Sequence, residues 1–171
     1  MPRIGLLSDS HGRAGTTRRA VELLQRQGVD LLLHLGDVGT VEVIDALCVE
    51  GKEGDDQLEA HLVFGNTDWD HHTLETYAED LDIAVDHPIG RLKVEGGDLV
   101  FCHGHEHERM DAVLQEQPRY LCHGHTHRVL DTHDGPTRII NPGALFRAKS
   151  YTVAILDTAA DTLTFHEVSE G

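Results

Sequence analysis

The chain has 171 residues, 39% of them hydrophobic, and its 30 acidic against 14 basic side chains give a formal net charge of −16. That length suits one domain over residues 1–171, with core enough to stand without a disulfide framework or a structural metal. No apolar run approaches membrane-spanning length, and so acidic a surface repels polyanions, so neither a membrane nor a long nucleic acid is expected as a partner.

Residues 4–7 read as a short buried strand running into Ser8-Asp9-Ser10-His11-Gly12. Asp9 and His11, two apart, share a face of an extended backbone, and Gly12 lets the chain turn away. A helix is expected over 17–27, with Ala20, Val21 and Leu24 as its apolar stripe and Gly28 as its stop. The run over 29–35, VDLLLHL, is apolar throughout and predicts a strand buried on both faces, with His34 hydrogen-bonded inside and Asp37 projecting from the strand's end. A helix over 40–49 and an acidic surface loop over 51–59 follow, then a strand over 61–64 that ends in Gly65-Asn66-Thr67-Asp68. The stretch 69–81 holds His71 and His72 and a helix reaching about residue 80, as a lid or as plain surface.

Residues 88–94 and 98–102 read as a hairpin whose second strand ends in His103-Gly104-His105. A helix over 108–117 turns Met110, Val113 and Leu114 inward, and Pro118 ends it. The strand over 119–122 stops abruptly in His123-Gly124-His125-Thr126-His127. Three imidazoles at alternate positions after a strand suit metal binding, the imidazole being the commonest metal ligand. Hairpins over 128–132 with 137–140, broken by Asn141-Pro142-Gly143, and over 150–157 with 162–168 complete the chain. Parallel-type units come first and hairpins later, which implies an α/β layered fold with mixed sheets. The chain enters its first strand at once, so no leader is expected. Cys48, Cys102 and Cys122 lack CxxC spacing, which points to a reducing, cytoplasmic compartment with Cys102 and Cys122 as buried strand residues.

Every polar cluster falls at the carboxyl end of an expected strand, the edge where ligands collect in open α/β sheets. Asp9, His11, Asp37, Asn66, His103, His105, His123, His125, His127 and Asn141 would thus gather in one place. Mixed oxygen and nitrogen donors suit Mn, Fe, Zn, Ni or Co better than Ca or Mg. There are too many donors for one ion, so two divalent ions sharing Asp37 is the economical reading. Two ions about 3.5–4 Å apart suit in-line displacement at phosphorus.

Asp9-x-His11, Gly36-Asp37, Gly65-Asn66-x-Asp68, His103-Gly104 and Gly124-His125-x-His127, in that order, resemble the calcineurin-like metallophosphoesterases. Asn141-Pro142-Gly143 and the short chain resemble their small bacterial and archaeal phosphodiesterase branch, related to the retromer vacuolar-sorting subunit. The resemblance covers roughly residues 4–157. It implies a β-sandwich of two mixed sheets flanked by helices, and a phosphodiesterase that hydrolyses a small phosphodiester by attack of a metal-bridging hydroxide. Carried over by motif, the first ion takes Asp9, His11, Asp37 and His127, and the second Asp37, Asn66, His103 and His125. Mn is the expected metal, with Ni, Co, Fe or Zn as alternatives. His123 falls outside the pattern and reads as a supporting residue.

Two departures bear on the chemistry. Where related phosphatases carry a His after Gly-Asn this chain has Thr67, so the leaving-group acid passes to His105, to His71 or to water, or the leaving group needs no proton. Where the branch often has Ser after Asn-Pro-Gly this chain has Ala144, and Arg147 beyond it is a candidate phosphate contact. Asp68 is expected to orient a ligand such as His11 or to cap a turn. Asp37, Asn66 and His105 are therefore the expected catalytic residues. The alternatives are a non-catalytic interaction scaffold on the same fold, a nuclease, and a monoesterase or nucleotide pyrophosphatase. A homo-oligomer is compatible with the sequence.

Overall fold

The computed structural model describes residues 2–52, 54 and 56–170, so Glu53 and Asp55 of the acidic loop lie outside the described residues. The first half of the chain folds as β1 (Arg3–Leu7), α1 (Ala14–Arg26), β2 (Leu31–His34), α2 (Val41–Leu47), β3 (Glu59–Leu62), α3 (His71–Asp80) and β4 (Ala84–Val85). The second half adds β5 (Ile89–Val94), β6 (Gly97–Cys102), α4 (His107–Glu116), β7 (Tyr120–Cys122), β8 (Val129–Asp134), β9 (Thr137–Pro142), β10 (Thr152–Asp157) and β11 (Thr162–Glu167).

Two mixed sheets result. The first has the order β11-β10-β1-β2-β3-β4, with β1 to β4 parallel and the last two strands antiparallel. The second has the order β5-β6-β7-β9-β8, with β6, β7 and β9 parallel between two antiparallel edge strands. Parallel neighbours need a crossover, and α1 and α2 supply it between β1, β2 and β3.

Alternation along the central strands sorts their side chains between two cores. Ile4, Leu6, Leu31, Leu33 and Leu35 meet Leu99, Phe101, Tyr120 and Ile140 of the facing sheet. Leu7 and Leu32 point the other way, onto Ala20, Val21 and Leu24 of α1 and Ile44 and Leu47 of α2. The unbroken apolar run at β2 thus fills both layers, each fully buried Leu contributing about 1.5–3 kcal/mol. On the outer face of the second sheet, Val113 of α4 is buried against Val100, Cys102 and Leu121, with Met110 and Leu114 beside it. No described helix is long and apolar enough to cross a membrane.

Several boundaries differ from expectation. α1 starts at Ala14, three residues before the expected 17, because Arg13 already accepts the first helical bond from Thr17 N–H at 2.9 Å. β3 spans Glu59–Leu62 rather than 61–64, leaving Val63 and Phe64 to turn the chain toward Gly65. β9 runs through Asn141 and Pro142, which were expected to break it; Pro142 sits at the last position, where little pairing remains to lose. β4, only two residues long, has no counterpart in the sequence reading.

Candidate metal centre

The carboxyl ends of β1, β2, β6 and β7, together with the loop after β3, meet at one rim. There the backbone takes unusual turns. Asp9 (φ +56°), His11 (+44°), Asp37 (+53°), His125 (+70°) and His127 (+60°) all lie in the left-handed region. Such positions cost about 1–3 kcal/mol each for non-glycine residues and cluster where side chains must be aimed. Backbone bonds between the two loops hold the strained turns in place: Asp9 N–H to Gly36 carbonyl at 3.0 Å, His11 N–H to Asp37 at 2.9 Å and Gly12 N–H to Val38 at 2.9 Å.

Close approach explains the glycines that punctuate the motifs. A β-carbon on Gly65 would stand 2.1 Å from Asp37 Oδ1, and one on Gly124 2.0 Å from Ser8 Oγ and 2.7 Å from Asp9 Oδ2. Neither site tolerates a side chain without displacing a carboxylate.

The donor atoms fall into two groups that share Asp9. Asp9, His11 and His127 present ligand atoms within 4.8 Å of one another, as do Asp9, Asp37 and His103. His127 Nε2 lies 3.2 Å from Asp9 Oδ1 and 3.3 Å from His11 Nε2. Asp37 Oδ2 lies 3.4 Å from His11 Nε2 and 3.2 Å from His103 Nε2, so it stands between the groups. Its other oxygen is taken by the Thr67 N–H at 3.0 Å and hydroxyl at 2.7 Å. Asp9 Oδ2 accepts from Ser8 Oγ at 2.7 Å and His125 N–H at 3.0 Å, while Oδ1 is buried with no aligned donor.

His103 shows what the cluster needs. Its Nδ1–H donates to the Leu35 carbonyl at 2.7 Å, turning Nε2 toward Asn66 Oδ1 at 3.1 Å and toward Asp37. Burial works against a charged imidazole here, yet Asp37 and Asp9 outweigh it and raise the His103 pKa. Burial would also raise both carboxyls. The neighbouring His11 and His127 nevertheless hold Asp9 far below the ordinary carboxylate range, and His103 and Thr67 lower Asp37 to about 2. Two ionised, buried carboxylates thus draw positive charge to this spot, a demand that protons on the imidazoles or divalent cations can meet. The orphaned Asp9 Oδ1 and the nitrogen and oxygen donors around it fit transition-metal ions.

The remaining expected residues take varied places. Asn66 reaches the cluster through His103. His125 is exposed, its ring centroid 5.2 Å from that of His103, and its backbone N–H rather than a ring nitrogen bonds Asp9. His105 stands at the edge, 5.4 Å from the His103 ring, with Nδ1 unpaired and Nε2 3.6 Å from Glu106. His71 stacks on Phe64 at 4.6 Å instead. His123 is buried and bonds the Gly124 carbonyl at 2.9 Å. Asn141 holds the loop from below, donating to the Gly124 carbonyl at 3.0 Å and Thr126 Oγ1 at 3.1 Å. His34 is fully buried between Ser10 Oγ (2.8 Å) and the Gly36 N–H (3.3 Å), and burial lowers its pKa to about 4. Asp68 caps the N–H groups of Val38, Gly39 and Gly65. Burial pushes the Cys102 thiol up to about 11 and the Cys122 thiol higher than its ordinary value, so neither offers a thiolate.

Three contributors escaped the sequence reading. Ser8 orients Asp9, and a hydroxyl directly before a strand-end carboxylate was the available signal. The Leu35 carbonyl sets the His103 ring, which no side-chain pattern announces. Phe146 packs 5.3 Å from the His11 ring, brought there by the turn after Gly143.

Residues 2–161 match the calcineurin-like phosphoesterase superfamily domain. The chain belongs to that superfamily. A phosphodiesterase of Methanocaldococcus jannaschii is 27% identical over 166 residues, covering 91% of this chain and 93% of the relative. A solved archaeal phosphodiesterase has the same fold, with a TM-score of 0.82 at 22% identity over 96% of this chain and 99% of that one. Vps29 of Entamoeba histolytica, solved as a single mutant, gives a TM-score of 0.66 at 16% identity, over 99% of both chains. The superfamily's two mixed sheets flanked by helices are those described above, and the candidate metal groups lie inside the matched region.

Proposed function

We propose that the protein is a metal-dependent phosphodiesterase whose metals sit at the adjoining donor groups around Asp9 and Asp37. One observation carries this reading: the unpaired, buried Asp9 Oδ1 faces His11, His127 and His103 while Asp37 Oδ2 bridges toward both groups. Asp9, His11, Asp37 and His127 would hold one cation; Asp37, Asn66, His103 and His125 would hold the other. When bound, two such cations supply a water acidic enough to attack phosphorus at neutral pH and neutralise the phosphoryl oxygens.

The chain's own residues do the rest. Thr67 locks one oxygen of Asp37 and leaves the other free for ligation. Leu35 and Arg147 carbonyls accept from Nδ1 of His103 and His127, which presents Nε2 of each to the centre. His105, partly exposed with its Nδ1 unpaired, is the side chain placed to pass a proton to the leaving oxygen. The proposed substrate is a small phosphodiester, the proposed metal Mn and the proposed setting the cytoplasm; a net charge of −16 disfavours a long polyanion.

Asp37→Ala and His103→Ala should each abolish turnover of bis(p-nitrophenyl) phosphate in added Mn. Near-normal turnover in both would refute the proposal. The likeness to Vps29 keeps a second reading, a protein-docking scaffold on this fold. That reading predicts no turnover with Mn, Ni, Co or Zn.

A further inference from the structure

Among the described residues, six of the 14 Lys and Arg side chains are paired with carboxylates: Lys52, Arg91, Lys93, Arg109, Arg119 and Arg138. With acidic residues outnumbering basic ones by 30 to 14, that is the expected condition. Beside the donor cluster, cations without a carboxylate partner gather at one place. A cavity of about 510 Å³ opens beside His127, lined by Arg128, Arg147 and Lys149 together with the hydroxyl-bearing Thr126, Ser150 and Thr152. Arg13 flanks it through Phe146: the Arg13 and Arg147 guanidinium carbons stand 4.7 and 5.1 Å from the centroid of that one ring, which itself packs on His11. Among the described residues, none of Arg13, Arg128, Arg147 and Lys149 has a carboxylate in ion-pairing range. Arg147 moreover holds φ +48° while its carbonyl anchors His127, so the segment carrying this charge is fixed to the donor cluster.

Like charges crowded beside a cation site repel one another unless an anion joins them. At the other histidine pair, His103 and His105, Glu106 stands 3.6 Å from His105 and is itself paired with Arg109.

We infer that the cavity lined by Arg128, Arg147 and Lys149 is a subsite for a second phosphate of the substrate. This rests on the phosphodiesterase reading and deepens it: the substrate class is a phosphodiester carrying a further phosphate, as a nucleotide with a 3′- or terminal phosphate does. The scissile diester lies at the donor cluster, the extra phosphate lies among the guanidinium groups, and the leaving group points toward His105. Guanidinium suits this task because its planar fork meets phosphate oxygens in pairs. A short substrate fits better than a long polyanion, since acidic residues outnumber basic ones by 30 to 14 over the whole chain.

Calorimetric binding of thymidine 3′,5′-bisphosphate and thymidine 5′-phosphate to the Mn-loaded protein tests the subsite. The bisphosphate should bind roughly tenfold tighter, an advantage that falls as salt rises. Arg128→Gln/Lys149→Gln, at two exposed positions, should bring the two affinities together. In parallel, the p-nitrophenyl ester of thymidine 5′-phosphate should show a lower KM with a 3′-phosphate than without, and the double variant should erase the difference. Equal affinities in the wild type, or a preference that survives in the double variant, would overturn the subsite even with normal turnover. A bisphosphate preference without turnover of either ester would uphold the subsite and overturn the catalytic reading.

Discussion

Asp68 joins the two loops that carry Asp37 and Asn66, and removing its carboxylate should loosen both. The side chain is 2% exposed. Oδ2 accepts from Val38 N–H at 3.0 Å and Gly65 N–H at 2.9 Å, and Oδ1 from Gly39 N–H at 2.8 Å. Val38 and Gly65 are buried, so those donors cannot turn to water, whereas Gly39 is exposed. A hydrogen bond to a charged group is worth about 1.5–3 kcal/mol, and two of the three leave a stranded donor, so Asp68→Ala should cost about 3–5 kcal/mol. Asp68→Asn keeps one oxygen for the two buried donors and turns its amide to Gly39, so its cost should be about 1–2 kcal/mol. Urea unfolding reads the stability, and calorimetric titration with Mn reads the site. Both should fall in the order wild type, Asn, Ala. An Ala variant within about 0.5 kcal/mol of wild type would refute the capping role, that being the range of an ordinary surface change.

Gly124→Ala would press a methyl group on Ser8 Oγ and Asp9 Oδ2, and overpacking of about 1–3 kcal/mol translates to Mn binding weaker by roughly five- to 150-fold, with secondary structure by circular dichroism unchanged; unaltered affinity would show that Asp9 needs no such close backbone. His61 tests the electrostatics away from the site. Burial would lower its pKa, but Glu59 at 2.8 Å and Asp86 at 2.6 Å outweigh burial and raise it. A raised folded-state pKa means that the stabilisation is complete below the unfolded value of about 6.5 and is lost as pH rises through the folded one. His61→Gln should therefore destabilise more at about pH 6 than at about pH 9 in urea unfolding, and equal losses at both would contradict the sign.

Periodicity and punctuation made most of the fold legible. Alternation and continuous apolar runs located β1 and β2, and the hairpins announced themselves by Gly and Asp turns. What escaped depends on tertiary context. β4 is two residues that pair only because β3 offers its free edge, a fact absent from Ala84-Val85 themselves. β9 continues through Pro142 because β8 accompanies it to that end. At the site, residue types placed Asp9, His11, Asp37, Asn66, His103 and His127 together, since strand-end position is readable from the chain. The division of labour was not. Asp9 enters both donor groups, where only Asp37 was expected to be shared, because the left-handed turn at Asp9 aims its free oxygen between His103 and His127. Asp68 could equally have served a ligand or a turn, and only the spacing of three backbone donors decides for the turn.

Crystals grown with Mn and measured at the Mn absorption edge test the central claim most directly. Two anomalous peaks per chain are expected, one among Asp9, His11, Asp37 and His127 and one among Asp37, Asn66, His103 and His125. Density for no ion at those side chains, or for a single ion bound elsewhere, would contradict the account.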